Sequence, residues 1–291
     1  MVYPPRLLLS FNGLRTDGKY AMPANPDFLA ESPPTAHRPL IQLARVDKVY
    51  ANGTEAVRDV NLSIGSAQFV SLLGPSGCGK STLLRMIAGL GNVSRGEIHW
   101  PQARYDSRGN PERNLGFVFQ EPTLMPWATV FQNVYLPLKL KGVSRERAEQ
   151  PIREVLETVG LEQFAQAYPR ELSGGMKMRV SIARALVTHP SVMLMDEPFA
   201  ALDEITRFRL NNDLLHLWAG HEWTVIFVTH SVYESVYLSN RIVVLAARPG
   251  RIIADIPIEA PYPRDENYRT SELYNRYCRQ VSAELHRAMG D

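Results

Sequence analysis

The chain has 291 residues, 45% of them apolar, which is enough for a buried core, and a formal charge of +2 from 32 basic and 30 acidic side chains. A surface so evenly balanced, with no run of basic residues, argues against nucleic acid as a partner and against a polybasic membrane anchor. Cys78 and Cys278 stand in no metal-binding or disulfide spacing, which fits a reducing compartment, and no stretch nears the roughly 18 apolar residues of a membrane-spanning helix.

Residues 1–39 hold seven of the 21 prolines and show no hydrophobic period, so a flexible extension is expected there. Leu7-Leu8-Leu9 is too short for the apolar centre of a secretion signal. From residue 40 onward, short apolar runs alternate with helical periods, the pattern of an α/β protein with a mainly parallel sheet. Gln68 to Leu73 leads straight into a glycine-rich loop, followed by a helix from Ser81 to Leu90. Val192 to Met195 and Thr224 to Val228 are continuous apolar runs, as expected of strands covered on both faces. One ends in Asp196-Glu197 and the other in Thr229-His230. Ligands of open α/β sheets bind beyond the carboxyl ends of the strands, so three strands are expected to deliver chemistry to one edge.

Between these strands, about 126–187 reads as a separate helical subdomain. Ser144 is placed to cap a helix reaching Val159 with Gly160 as its stop, and Pro151 is a candidate kink or break within it. Near the C-terminus, within the segment 263–291, Leu273, Tyr277, Val281 and Leu285 recur at i, i+4 spacing and predict a helix with one apolar face.

The loop Gly74-Pro75-Ser76-Gly77-Cys78-Gly79-Lys80-Ser81-Thr82 fits G-x-x-x-x-G-K-[ST] in the strand-to-helix setting that the motif requires. Its glycines let successive amide N–H groups point inward at phosphate oxygens, and the following helix adds its positive end. Lys80 is expected to reach the β and γ phosphates and Ser81 to ligate Mg²⁺. Cys78 lies inside this loop, so bound nucleotide is expected to shield its thiol from alkylation. Leu172-Ser173-Gly174-Gly175 further on reads as a Ser-capped helix start, whose first N–H groups, opened by the glycines, face an anion or simply solvent.

Taken in order, the phosphate loop, the tetrad from Leu172 to Gly175 with Met176-Lys177-Met178-Arg179-Val180 behind it, and Asp196-Glu197 resemble the motifs of ATP-binding cassette (ABC) proteins. The likeness covers residues 40–262. It implies a P-loop NTPase core of RecA type, an antiparallel β subdomain and a helical subdomain carrying the signature. It also implies ATP with Mg²⁺ as ligands. Asp196, Ser81 and Gln120 are then the expected metal partners, Glu197 the general base, His230 the γ-phosphate switch and Gln120 a sensor of the membrane partner. Tyr50 matches the position of a ring stacked on adenine, and Asp203, in Pro198-Phe199-Ala200-Ala201-Leu202-Asp203, is placed at a subunit interface.

The resemblance further implies a homodimer, or a pairing with a related ATPase, that sandwiches two ATP molecules, each between one subunit's loop and the other's Ser173, Gly174 and Gly175. Its expected site is the cytoplasmic face of the inner membrane, attached to transmembrane permease subunits and served indirectly by an extracytoplasmic solute-binding protein. Met178 stands where Gln is usual, and Ser231 where Asp is frequent. Gln120-Glu121-Pro122-Thr123-Leu124-Met125-Pro126-Trp127 and Arg248-Pro249-Gly250-Arg251-Ile252 look like the ATPases of nitrate, taurine and alkanesulfonate importers, and thiamine-precursor pyrimidine importers are similar. Non-transport relatives bring a long coiled coil or a second nucleotide domain, absent here, and exporters less often carry Pro126-Trp127.

Overall fold

The computed structural model describes residues 39–290 apart from 108, 110, 221 and 222. The extension expected over residues 1–39 therefore lies, but for Pro39, outside the described residues. The three apolar runs become β3 (Phe69–Leu73), β6 (Val192–Asp196) and β7 (Thr224–Thr229), buried at every position. With β5 (Leu115–Val118), β8 (Arg241–Ala246) and β9 (Arg251–Pro257) they form a sheet of order β5-β6-β7-β3-β8-β9. All neighbours are parallel except β8 and β9. β1 (Ile41–Val49), β2 (Glu55–Ile64) and β4 (Arg95–His99) make a second, antiparallel sheet of order β2-β1-β4.

Because side chains alternate along a strand, the central sheet feeds two separate cores. Val70, Leu72, Leu194, Ile226 and Val228 face one way, against Leu83, Leu84 and Ile87 of α1 (Lys80–Ala88) and the inner side of the antiparallel sheet. Phe69, Leu73, Met193, Met195 and Phe227 face the other way, into a core closed by the remaining helices. These are α2 (Val130–Leu140), α3 (Arg145–Thr158), α4 (Gly174–Leu186), α5 (Glu204–Ala219), α6 (Val232–Leu238), α7 (Glu266–Thr270) and α8 (Glu272–Met289). The antiparallel sheet shows the one-sided pattern of a half-solvated surface: Val60, Leu62 and Ile64 of β2 are buried while their neighbours are exposed.

Ser144 caps α3 as expected, its hydroxyl accepting the Arg147 amide. Pro151 does not split that helix, which runs unbroken through it to Thr158. In α8 the buried centre is Tyr274, Cys278 and Val281, and Leu273, Tyr277 and Leu285 flank it half-buried, so the apolar face is turned slightly from the one read in the sequence.

The strand registers place the chemistry. Leu73 pairs with Thr229 and Asp196 with Val228, so the glycine loop, Asp196-Glu197 and His230 all emerge at the same sheet edge.

Arg264, just before α7, ties the C-terminal segment to the end of α6. Its buried guanidinium donates to the carbonyls of Val236, Tyr237, Ser239 and Ala260 at 2.9–3.1 Å and stacks 4.0 Å from the Tyr262 ring centroid. It closes the C-terminal end of α6, whose last carbonyls have no helical partner. Arg264→Met is expected to lower the unfolding free energy by at least about 3 kcal/mol, since several acceptors lose charge-assisted donors. Urea denaturation measures this, and an unchanged midpoint would show that the carbonyls find other donors.

Candidate functional site

Seven of the eight α-helices among the described residues begin with a side chain accepting an amide of the first turn: Thr129, Ser144, Ser173, Asp203, Ser231, Asp265 and Ser271. The exception is α1, which starts at Gly79 with no side-chain cap. Its first amides form a positive end without an internal acceptor, behind a loop of successive N–H groups. Gly79 has φ +91°, and a Cβ there would stand 2.5 Å from the Ala56 carbonyl, so only glycine brings the loop this close to β2. Gly77, at φ +76°, takes a backbone conformation that glycine favours, with open space where its Cβ would be.

Lys80 is 4% exposed and folds back into the loop, donating to the carbonyls of Gly74 at 2.8 Å and Pro75 at 3.1 Å. It lies 3.7 Å from Glu197 Oε1, and the other oxygen of that carboxylate is 3.3 Å from His230 Nδ1. Ser81 Oγ donates to Asp196 Oδ1 at 2.6 Å. Burial pushes the Asp196 carboxyl above the ordinary aspartate value, while the Ser81 hydroxyl and then Arg85 pull it back. Glu197 holds a left-handed backbone, φ +47°, and its amide donates to the Val228 carbonyl at 3.0 Å. A non-glycine residue there costs about 1–3 kcal/mol and persists only where its surroundings enforce it, as at sites that aim a functional side chain.

Beside the loop lies a cleft of ≈ 690 Å³, within the range of small-molecule sites. Tyr50, Ser76, Gly77, Gly79, Lys80, Ser81, Thr82 and Glu197 line it. Tyr50 is 45% exposed just past β1, its hydroxyl 3.0 Å from that of Thr82, so its ring is a cleft wall and not part of a core. The thiol of Cys78 faces away: it is fully buried, and burial raises its pKa. The shielding by nucleotide expected from the sequence therefore meets a thiol that the fold itself already covers. Arg248 and Pro249 also line the cleft, a placement that spacing did not reveal. They arrive there because Gly250 donates to the Ala56 carbonyl and accepts the Arg58 amide, docking the β8–β9 turn on β2.

Other residues singled out in the sequence are not brought to this cleft by one chain. Gln120 is exposed past the end of β5, the strand beside β6. Ser173 caps α4, accepting the Met176 amide at 3.3 Å, and Asp203 caps α5, accepting the Thr206 amide at 2.9 Å. These two helix starts adjoin: a Cβ on Gly174 would meet Leu202 at 3.3 Å, and one on Gly175 would meet Thr206 at 2.7 Å. Met178 is buried in the helical core, and Ser231 caps α6 in the way an aspartate would. No helix among the described residues is long and apolar enough to cross a membrane.

Comparison with known proteins agrees with this geometry. The ABC transporter family profile matches residues 57–200. An uncharacterized ABC transporter ATP-binding protein of Methanocaldococcus jannaschii is 45% identical over 82% of this chain and 87% of its own length. An aliphatic sulfonates import ATP-binding protein of Bacillus cereus is 44% identical over 83% of this chain and 94% of its own. One of Pseudomonas savastanoi is 45% identical over 84% and 95%. Among solved structures, cbiO1 from Clostridium perfringens, part of the transporter complex cbiONQ, superposes with a TM-score of 0.69 at 25% identity, covering 85% of this chain and 98% of that one. The ATP-binding cassette MJ0796, in a dimeric post-hydrolysis state with ADP and Pi, superposes at 0.66 with 34% identity over 76% and 100%. Relatives this similar over most of their length, together with the matching family profile, show that this chain belongs to the ATP-binding proteins of the ABC transporter family.

Proposed function

We propose that this chain is the ATP-hydrolysing subunit of an importer of aliphatic sulfonates, acting as a pair of copies against transmembrane permease subunits at the cytoplasmic face of the membrane. The observation that carries the hydrolytic part is the uncapped start of α1 beside Lys80, Ser81–Asp196 and Glu197–His230 at one sheet edge. The transport part rests on relatives at 44–45% identity that are named for aliphatic sulfonate import. An extracytoplasmic solute-binding protein would deliver the substrate, and nucleic acid has no place in this reading.

The loop amides and Lys80 bind and orient the phosphates, and Tyr50 supports the base. The hydroxyl of Ser81 and the carboxylate of Asp196, hard oxygen donors already in contact, fit Mg²⁺, which takes one or two protein oxygens and keeps the rest of its shell for phosphate and water. Gln120 would complete that set. When bound, the ion offsets charge on the transferring phosphoryl group. Glu197 orients the attacking water and accepts its proton, and His230 steadies the carboxylate through its second oxygen. Ser173, Gly174 and Gly175 lie off the cleft with the Asp203 turn, so a second copy would supply them to the phosphates, with Asp203 at the face between copies.

Glu197→Gln is expected to retain ATP binding, to lose hydrolysis by about a hundredfold or more, and to elute as an ATP-bound dimer in size-exclusion chromatography. Undiminished turnover would remove Glu197 as the base. Tyr50→Ala is expected to weaken ATP binding by about two- to twelvefold, the equivalent of 0.5–1.5 kcal/mol for an aromatic contact, with turnover at saturation unchanged; titration with a fluorescent ATP analogue measures it. Cells lacking the protein are expected to lose growth on an alkanesulfonate as sole sulfur source, and normal growth there would reassign the substrate.

A further inference from the structure

A buried polar group behind His230 has no part in the reading above. Glu234, on α6, is 8% exposed, and its Oε2 accepts the Thr229 hydroxyl at 2.5 Å. That hydroxyl in turn accepts the Ser231 amide at 3.0 Å, so the two residues flanking His230 are both held by this bond. Glu234 Oε1 faces Arg207 Nε of α5 at 3.7 Å, and neither atom has a hydrogen-bond partner among the described residues. Arg207 is already committed at its other end, donating through Nη2 to the Leu202 carbonyl at 3.0 Å, one residue before Asp203. Leu202 is the residue against which Gly174 packs.

Buried polar atoms without a hydrogen bond are uncommon in folded proteins, and here the two stand opposite each other as a long ion pair. Charge-assisted N–H···O bonds run near 2.7–2.9 Å, so a sub-ångström shift of α5 against α6 closes this contact. Burial raises the Glu234 carboxyl above its usual range, opposed by Thr229, then Arg207, then His230 and the Asn211 side chain, so the carboxylate gains from a closer cation.

We infer that Arg207 and Glu234 are positioning residues forming a mechanical link between the Leu202–Asp203 turn and His230. Pressure on the turn from a second copy shortens this ion pair into a hydrogen bond, and Glu234 passes the shift through Thr229 to the backbone on either side of the histidine. The link rests on the proposed pairing of two copies across the Asp203 face. It makes no contact with nucleotide and therefore acts on turnover and not on ATP binding.

The test uses the full chain with Glu234→Gln, which retains an acceptor for Thr229 but removes the charge, with Arg207→Met, and with both together. Each single variant is expected to lower kcat about tenfold, in the range usual for coupling between sites. KM for ATP is expected to stay within about twofold of wild type. The double variant is expected to be no slower than either single, because both break one link. Unchanged kcat in either single variant, losses that multiply in the double, or a loss confined to KM would each overturn the link. If Glu234→Gln is not recovered folded, as judged by its melting temperature, Arg207→Met on the half-exposed side of α5 decides the matter. Glu197→Gln in the same series separates the two ideas. If it is inactive and dimeric while Glu234→Gln runs at full rate, only the link fails; if it turns over at the wild-type rate, the reading of the site fails.

Discussion

A helix that starts without an internal acceptor leaves amide hydrogens and a partial positive charge for something outside the chain to satisfy. In this protein α1 is that helix, and the surrounding structure serves its exposed end. The parallel register of β3, β6 and β7 carries Asp196, Glu197 and His230 to the same edge, while the glycine at position 79 lets the loop press against β2. Lys80 adds a full positive charge inside the loop. Asp196 and Glu197 are thus held beside the buried Lys80 ammonium, whose charge opposes theirs.

The central strands were legible because burial on both faces writes itself as uninterrupted apolar runs: Val192 to Met195 and Thr224 to Val228 admit few other readings. The glycine loop was legible because its chemistry is local, needing only residues that are neighbours in sequence. Contacts that close across the fold were not. Arg248 reaches the cleft only because Gly250 docks on Ala56, a pairing of residues far apart that no local pattern encodes. The depth of Cys78 was hidden for a related reason: its side-chain direction depends on the tight loop geometry and on the packing of β8, whose Leu245 carbonyl borders Gly74. Pro151 reads as a break by propensity, yet the buried face formed by Ala148, Ile152 and Leu156 holds α3 together through it.

The starts of α4 and α5 sit against one another. Gly174 and Gly175 have no side chains, and the space they leave is filled by Leu202 and Thr206, so the start of α4 and the start of α5 share one patch. Whatever grips one of these helix starts from outside also grips the other. The capping hydroxyl of Ser173 and the capping carboxylate of Asp203 leave that patch structurally complete in a single chain, in contrast to the start of α1.

The sheet order also sets a timetable for making the protein. β3, which presents the glycine loop, lies between β7 and β8, both of which come more than a hundred and fifty residues later in the chain. During synthesis the loop leaves the ribosome early but stays attached to an unpaired strand until the last quarter of the sequence has followed. Domains fold as units when their long-range pairings become available, and such late-closing strands are the ones exposed meanwhile to aggregation. A truncated or stalled chain ending before β8 would therefore carry the whole glycine loop and still lack one of the two strands that flank β3.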